Sequence, residues 1–170
     1  DYNGALLVRI DNELKPKVVQ CDIHGANGLA FSADKRWMYT SDTPNGVIYR
    51  TPLDDDGEPG SRGIFHQFAP GEGIPDGAAV DEEGCYWSAL FDGWRIARFS
   101  PEGEQLEEYR MPVRCPTMVC FGGADMRTLF ITTTRENMSA AEVQQYPLSG
   151  AIFTLPVNVA GMKKLPFIER

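Results

Sequence analysis

A repeated arrangement of three polar residues constrains the fold of this chain more than any other feature. Asn27, Asp76 and Thr117 each carry a side-chain oxygen, and each directly precedes a short stretch of apolar and small residues. Asp76 lies 49 residues after Asn27 (76 − 27), and Thr117 lies 41 residues after Asp76 (117 − 76). A period of roughly 40–50 residues is typical of a β-propeller blade, which contains four strands. The spacing therefore predicts an all-β propeller in which these three residues gather near the central axis.

Turn-rich segments divide the chain into repeated groups of short predicted strands. Residues 24–70 and 71–112 each contain four such strands, separated by turns rich in Asp, Asn, Gly and Pro. Residues 113–170 repeat the plan with a fourth strand at 163–167, and residues 1–23 form a hairpin that we interpret as the outer half of another blade. The whole chain is thus predicted to be one partial propeller domain of about three and a half blades. Its inner strands are expected to be buried on both faces.

The predicted number of blades has a consequence for assembly. A closed propeller has about 4–8 complete blades, so about three and a half blades do not make a ring. We therefore expect that this chain belongs to a longer one, or that a second chain completes the ring. Open strand edges and apolar faces would otherwise favour self-association.

Two segments between the predicted strands have patterns of their own. Residues 135–147 include Ser139 and Glu142 in the spacing of a capping box, which predicts a short helix on one face of the propeller. Three consecutive aspartates at 54–56 suggest a calcium loop, but the ligand spacing of an EF-hand and its later Glu are missing. A solvated hairpin turn is the better interpretation of the aspartates.

Charge and cysteine content exclude several classes of function. The chain has 16 basic and 24 acidic residues, a net charge of −8, which argues against nucleic-acid binding. No apolar run approaches the roughly 20 residues of a membrane-spanning helix, so no membrane partner is expected. The four cysteines form no CxxC pair and only two histidines accompany them, which argues against a zinc site of the usual spacing. We interpret all four as reduced thiols and predict a cytoplasmic protein.

Asn27 and Asp76 are the strongest candidate functional residues. They occupy corresponding positions of neighbouring predicted blades, and their oxygens suit Ca²⁺, Mg²⁺ or Mn²⁺ rather than a soft metal. Singly, each could be a turn residue before a strand, but their matching positions in two units favour a central site. Thr117 either lines the same pocket or caps its strand. Asp42 and His24 lie near the same strand ends, but ordinary turn chemistry explains Asp42 and a lone loop histidine is usually inert.

Around these residues the sequence resembles the SMP-30/regucalcin/gluconolactonase family, in particular the C-terminal part of bacterial sugar lactonases. The resemblance runs through essentially the whole chain in order. The matching segments are residues 27–32, 38–43, 75–84, 86–87, 116–117, 120–125, 129–133 and 147–153.

The resemblance implies a six-bladed propeller with one divalent cation at its centre, held by a Glu, an Asn and an Asp. The Asn corresponds to Asn27 and the Asp to Asp76, whereas the Glu and two substrate-binding residues, an Asn and an Arg, have no counterpart in this chain. The implied activity is the hydrolysis of sugar lactones to aldonic acids. In that reaction Asp76 would be both a metal ligand and the general base, or would orient the attacking water.

Three questions remain open at this point. The cation is Ca²⁺, Zn²⁺, Mg²⁺ or Mn²⁺, because oxygen ligands suit several hard ions. The resemblance also fits a non-catalytic calcium-binding or scaffold propeller, and a propeller hydrolase acting on other esters. The sequence does not select one sugar lactone as the substrate.

Overall fold

The computed structural model describes residues 4–11 and 13–163 and consists mainly of antiparallel sheet. The described strands form a two-stranded hairpin, two four-stranded sheets and a three-stranded sheet, and within each sheet neighbours in space are neighbours in sequence. Such meanders are the blades of a propeller, so the predicted all-β propeller class is confirmed. The strands are β1 (Ala5–Ile10), β2 (Pro16–Ile23), β3 (Ala26–Phe31), β4 (Trp37–Asp42), β5 (Val47–Pro52), β6 (Gly63–Gln67), β7 (Ile74–Val80), β8 (Tyr86–Phe91), β9 (Arg95–Phe99), β10 (Gln105–Arg110), β11 (Pro116–Gly122), β12 (Thr128–Thr133) and β13 (Ile152–Pro156).

The strands predicted from the sequence agree with the observed strands, except for one that lies mostly outside the described residues. The predicted hairpin near the start is β1–β2, and strands β3 to β10 supply both predicted sets of four. The fourth strand predicted at 163–167 lies, apart from its first residue, outside the described residues. The boundaries at 24–70, 71–112 and 113–170 stay a prediction.

The predicted helix between β12 and β13 is confirmed as α1 (Ala140–Gln145). Ser139 accepts a hydrogen bond from the Glu142 amide, and the Glu142 carboxylate accepts one from the Ser139 amide at 2.8 Å. This reciprocal pair satisfies amide groups that the first turn of a helix leaves without partners, and it explains why so short a helix forms. No helix in the described ranges has the length and apolar composition needed to cross a bilayer.

Burial decreases from the inner to the outer strands of a blade. In the central blade, β7 and β8 are buried along almost their whole length, whereas β10 is mostly exposed. Apolar residues of this blade pack against those of both neighbouring blades, and each fully buried large side chain contributes about 1.5–3 kcal/mol. The core therefore fixes β7 in the middle of the described structure.

The inner strand of the first complete blade differs from this pattern. The prediction that inner strands are buried on both faces is wrong for β3, because Leu29 and Phe31 are each 46% exposed while Gly28 and Ala30 are buried. Only the side of β3 that faces β7 is covered within the described residues.

Two glycines bring the inner strands close together. A Cβ atom on Gly28 would lie 2.7 Å from the Ser41 Oγ and 3.1 Å from the backbone oxygen of Asp76. A Cβ atom on Gly77 would lie 2.7 Å from the backbone oxygen of Thr117. Contacts below 3.0 Å do not occur for real Cβ atoms, and Gly28 also has a φ of +59°, so glycine is required at both positions. As a result the first residues of β3, β7 and β11 lie side by side at one end of the blades.

A buried ionic network lies at the other end of β7. The side chain of Asp81 is fully buried and accepts hydrogen bonds from the amides of Glu83 and Cys85, from the indole of Trp87 at 2.8 Å and from the guanidinium of Arg98 at 2.9 Å. Both carboxylate oxygens are thus fully paired. Arg98 also contacts two exposed glutamates, so its charge is balanced as well.

The aspartates at 54–56 form the solvated turn that the sequence predicted. Asp54 accepts hydrogen bonds from the backbone amides of Asp56 and Glu58, at 3.0 Å and 2.8 Å, and all three aspartates are partly or fully exposed. The Asp54 oxygen that could bind calcium is therefore engaged by the turn itself.

Candidate metal and active site

The candidate site is formed where β3 and β7 begin. Asn27 is the second residue of β3 and Asp76 is the third residue of β7. Two hydroxyl groups of the first blade donate hydrogen bonds to the start of β7: Ser41 donates to the backbone oxygen of Asp76 at 3.3 Å, and Thr43 donates to that of Pro75 at 2.7 Å. These bonds join the end of β4, which pairs with β3, to the start of β7.

The amide of Asn27 is held by the same hydroxyl group of Thr43. The Asn27 Nδ2 donates to the Thr43 Oγ1 at 3.1 Å, and the Asn27 side chain is otherwise exposed. Within the described residues no donor occupies the Asn27 Oδ1. This neutral oxygen is thus available to a cation or a ligand.

Asp76 carries an uncompensated carboxylate. The residue is half-buried, and its carboxylate accepts no hydrogen bond and forms no ion pair with any described residue. Burial, together with the negative charge of Glu136, raises the pKa of Asp76 to about 6. A carboxylate in such surroundings is stabilised by a cation, so the environment of Asp76 fits a metal ligand.

The other three residues considered from the sequence are engaged elsewhere. The hydroxyl of Thr117 is shared with Thr132 of its own blade at 2.8 Å. Asp42 is almost fully buried and accepts hydrogen bonds from the amides of His24 and Gly25 and from the side chain of Asn45, which identifies it as the anchor of this turn. His24 is largely exposed and contacts Asn45 at 2.9 Å. The structure therefore does not connect these residues to Asp76 by hydrogen bonds.

The segment with α1 lies at the same end of the blades. Arg114 donates to the carboxylate of Glu142 at 3.0 Å and to the backbone oxygen of Asn137 at 3.2 Å. The ring of Trp94 makes an edge-to-face contact with that of Tyr146, with centroids 4.8 Å apart. These contacts hold the segment near the strand starts, close enough for Glu136 to influence Asp76.

Sequence reasoning missed Ser41, Thr43 and Glu136. Ser41 had a usable signal, because β4 pairs with β3 in the register that places Ser41 opposite Asn27. Thr43 and Glu136 act on residues that are 32 and 60 positions away (75 − 43 and 136 − 76). Only the packing of neighbouring blades brings such distant residues together.

The described residues supply only part of a metal site. Within them, no three His, Cys, Asp or Glu side chains form a group that could hold a metal ion. Asn27 and Asp76 would therefore contribute two oxygen ligands, and a hard cation needs several more.

Comparison with known families identifies the fold and its relatives. Residues 1–135 match the SMP-30/Gluconolactonase/LRE-like region. The chain belongs to this family. The family resemblance predicted from the strand-start motifs is thus confirmed.

Several similar proteins have names that state a function. A 6-deoxy-6-sulfogluconolactonase of Pseudomonas putida is 56% identical over 162 residues, which cover 95% of this chain and 56% of that protein. A pentonolactonase of Haloferax volcanii is 30% identical over 95% of this chain and 57% of its own length. A solved structure of a calcium-binding protein, regucalcin, from Agrobacterium tumefaciens is 27% identical with a TM-score of 0.89, covering 95% of this chain and 55% of that chain. The chain spans about half the length of the curated relatives it matches.

Proposed function

We propose that the full-length protein hydrolyses sugar lactones to aldonic acids at the start of β3 and β7, with a divalent cation held in part by Asn27 and Asp76. One observation carries the proposal: no described residue donates to the half-buried Asp76 carboxylate or to the Asn27 amide oxygen, and Thr43 bonds both to Asn27 and to the residue before Asp76. Membership of a family whose relatives are named as lactonases supports the choice of substrate class.

The reaction adds one water molecule across the ring ester bond. A bound cation would polarise the lactone carbonyl and lower the pKa of water. The Asp76 carboxylate takes a proton from the attacking water, the bond from the carbonyl carbon to the ring oxygen breaks, and the proton passes to that oxygen as it leaves. Burial raises the pKa of Asp76 in the metal-free protein, and a bound cation would lower it again and keep the carboxylate ionised. Asn27 contributes an oxygen without adding negative charge.

The test is lactone hydrolysis by the full-length protein, followed by pH-stat with and without EDTA. Asp76→Asn is expected to lower kcat/KM by at least about 1,000-fold, since it removes both a ligand and the base. Glu104→Gln is the matched control, because Glu104 is exposed in the turn between β9 and β10, at the opposite end of the blades. Full chelator-sensitive activity in Asp76→Asn would refute the assignment.

The substrate is resolved by a panel of lactones. The panel contains gluconolactone, a pentonolactone and 6-deoxy-6-sulfogluconolactone, which correspond to the names of the family and of two relatives. Simple aryl esters test the alternative that the protein is a hydrolase of other esters. The substrate with the highest kcat/KM identifies the class, and a preference for aryl esters would contradict the proposal.

A non-catalytic calcium-binding propeller is the second candidate. The similarity to the calcium-binding regucalcin favours it, since that structure superposes over nearly all of this chain. This alternative predicts calcium binding by calorimetry without turnover of any lactone. Under this alternative, Asp76→Asn would weaken calcium binding, and neither the variant nor the wild type would hydrolyse a lactone.

Completion of the ring also stays a proposal. The exposed Leu29 and Phe31 on β3 present an apolar face that further blades, or a second chain, would cover. Light scattering on the 170-residue chain tests this. A monomer with cooperative unfolding would argue against self-association.

The cytoplasmic location predicted from the thiols is a separate proposal, and fractionation of cells tests it.

A further inference from the structure

The hydroxyl group of Thr43 lies between the two candidate ligand strands. It donates to the backbone oxygen of Pro75, the residue before Asp76, at 2.7 Å, and it lies 3.1 Å from the side-chain nitrogen of Asn27. One atom of the first blade is thus bonded to both parts of the site.

The number of protons on this hydroxyl fixes the orientation of the Asn27 amide. A threonine hydroxyl has one proton and two acceptor lone pairs. Because its proton is given to Pro75, the oxygen is only an acceptor towards Asn27. The amide must therefore present its NH₂ group to Thr43, and its Oδ1 must point away from the hydroxyl. The opposite orientation would place two acceptors against each other.

Thr43 is itself held rigidly. It begins a short 3₁₀ turn, Thr43–Asn45, with Pro44 as the next residue. Directly before it, the buried carboxylate of Asp42 accepts a hydrogen bond from the side chain of Asn45 at 2.9 Å. A hydroxyl placed by a buried anchor is a suitable reference point for an exposed amide.

We propose that Thr43 is a positioning residue that orients the Asn27 Oδ1 for the cation and holds the start of β7 beside it. This proposal deepens the proposed function and rests on the assignment of Asn27 as a ligand. Removal of a residue that hydrogen-bonds to a metal ligand typically weakens metal binding by about 10–100-fold.

The test is titration of the metal-free full-length protein with Ca²⁺ and Mn²⁺ by calorimetry. Thr43→Val keeps the shape of the side chain but removes the hydroxyl, and is expected to weaken binding by about 10–100-fold. Thr43→Ser restores the hydroxyl and is expected to bind within about threefold of the wild type. Thr51→Val is the matched control, because the buried Thr51 hydroxyl has no hydrogen-bond partner among the described residues.

A double-mutant cycle separates orientation from simple loss of structure. If Thr43 acts through Asn27, then Thr43→Val has little further effect on metal affinity in an Asn27→Ala background. Equal effects in both backgrounds would overturn the proposal, and so would failure of Thr43→Ser to restore binding. If the wild type binds a cation but hydrolyses no lactone, the proposed activity fails and the cycle still decides the role of Thr43.

Discussion

Two aspartates at opposite ends of β7 have opposite environments. Asp81 is fully buried, and four donors satisfy its carboxylate. Asp76 is only half-buried, yet no described residue donates to its carboxylate, and its pKa is raised to about 6. The more deeply buried carboxylate is therefore the better compensated one. Lack of compensation, rather than depth, distinguishes the candidate site from the structural network.

Each end of the strand serves a different purpose. The Asp81 network joins a turn to β8 and β9 and stabilises the blade. The uncompensated charge of Asp76 costs stability in the absence of a cation, which is the expected trade-off at a functional site. The difference between the two aspartates can be measured by removing or neutralising each of them.

The largest expected effect is the loss of Asp81. Asp81→Ala removes the buried partner of Arg98, which then keeps only the exposed Glu83 and Glu107 among the described residues, and it removes the acceptor of the Trp87 indole. We expect the free energy of unfolding to fall by about 3–5 kcal/mol, measured by urea denaturation of the full-length protein. Glu107→Gln, at the exposed side of the same network, should cost less than about 1 kcal/mol. Similar losses in both variants would refute the central role of Asp81.

Neutralising Asp76 should raise the free energy of unfolding, whereas loss of Asp81 lowers it. Asp76→Asn removes a charge that the fold does not compensate, so it should stabilise the metal-free protein by about 1–2 kcal/mol at pH 7.5, after allowance for partial exposure. The folded pKa of about 6 lies above the ordinary value of 3.8, so the cost is fully present above pH 6 and disappears towards pH 4. Denaturation in EDTA at pH 7.5 and 4.5 measures this. If the difference in unfolding free energy between Asp76→Asn and the wild type were the same at both pH values, the prediction would be contradicted.

The smallest effect concerns Glu136. Its negative charge is the second cause of the raised pKa of Asp76, after burial. Glu136→Gln should lower the pKa of Asp76, so the NMR signal of the Asp76 carboxyl carbon should titrate at lower pH. The same variant should stabilise the metal-free protein by less than about 0.5 kcal/mol. Glu104→Gln, at the opposite end of the blades, should leave this titration unchanged. An equal shift in both variants would show a general charge effect instead.

The parts of this molecule that the sequence predicted are those encoded locally. The turn at 54–56 and the capped helix depend on residues a few positions apart, the blade pattern depends on a repeat along the chain, and all appear in the structure. Asn27 and Asp76 were selected because they occupy matching positions before the first strands of two repeated units. The support of Thr43 for Asn27, the influence of Glu136 on Asp76 and the environment of Asp81 depend on contacts between strands and blades. No local pattern encodes such contacts.

The glycines that follow Asn27 and Asp76 have a consequence for how such sequences vary. Gly77 is required by the approach of β11, and Gly28 by its positive φ and its contacts with Tyr86 and Ser41, whereas we expect the polar residues before them to be required by the proposed chemistry. In a library randomised at all four positions, selection for folding alone would retain both glycines and release Asn27 and Asp76. Selection for activity would retain all four. A relative that keeps only the glycines would thus preserve the architecture after its chemistry has been lost.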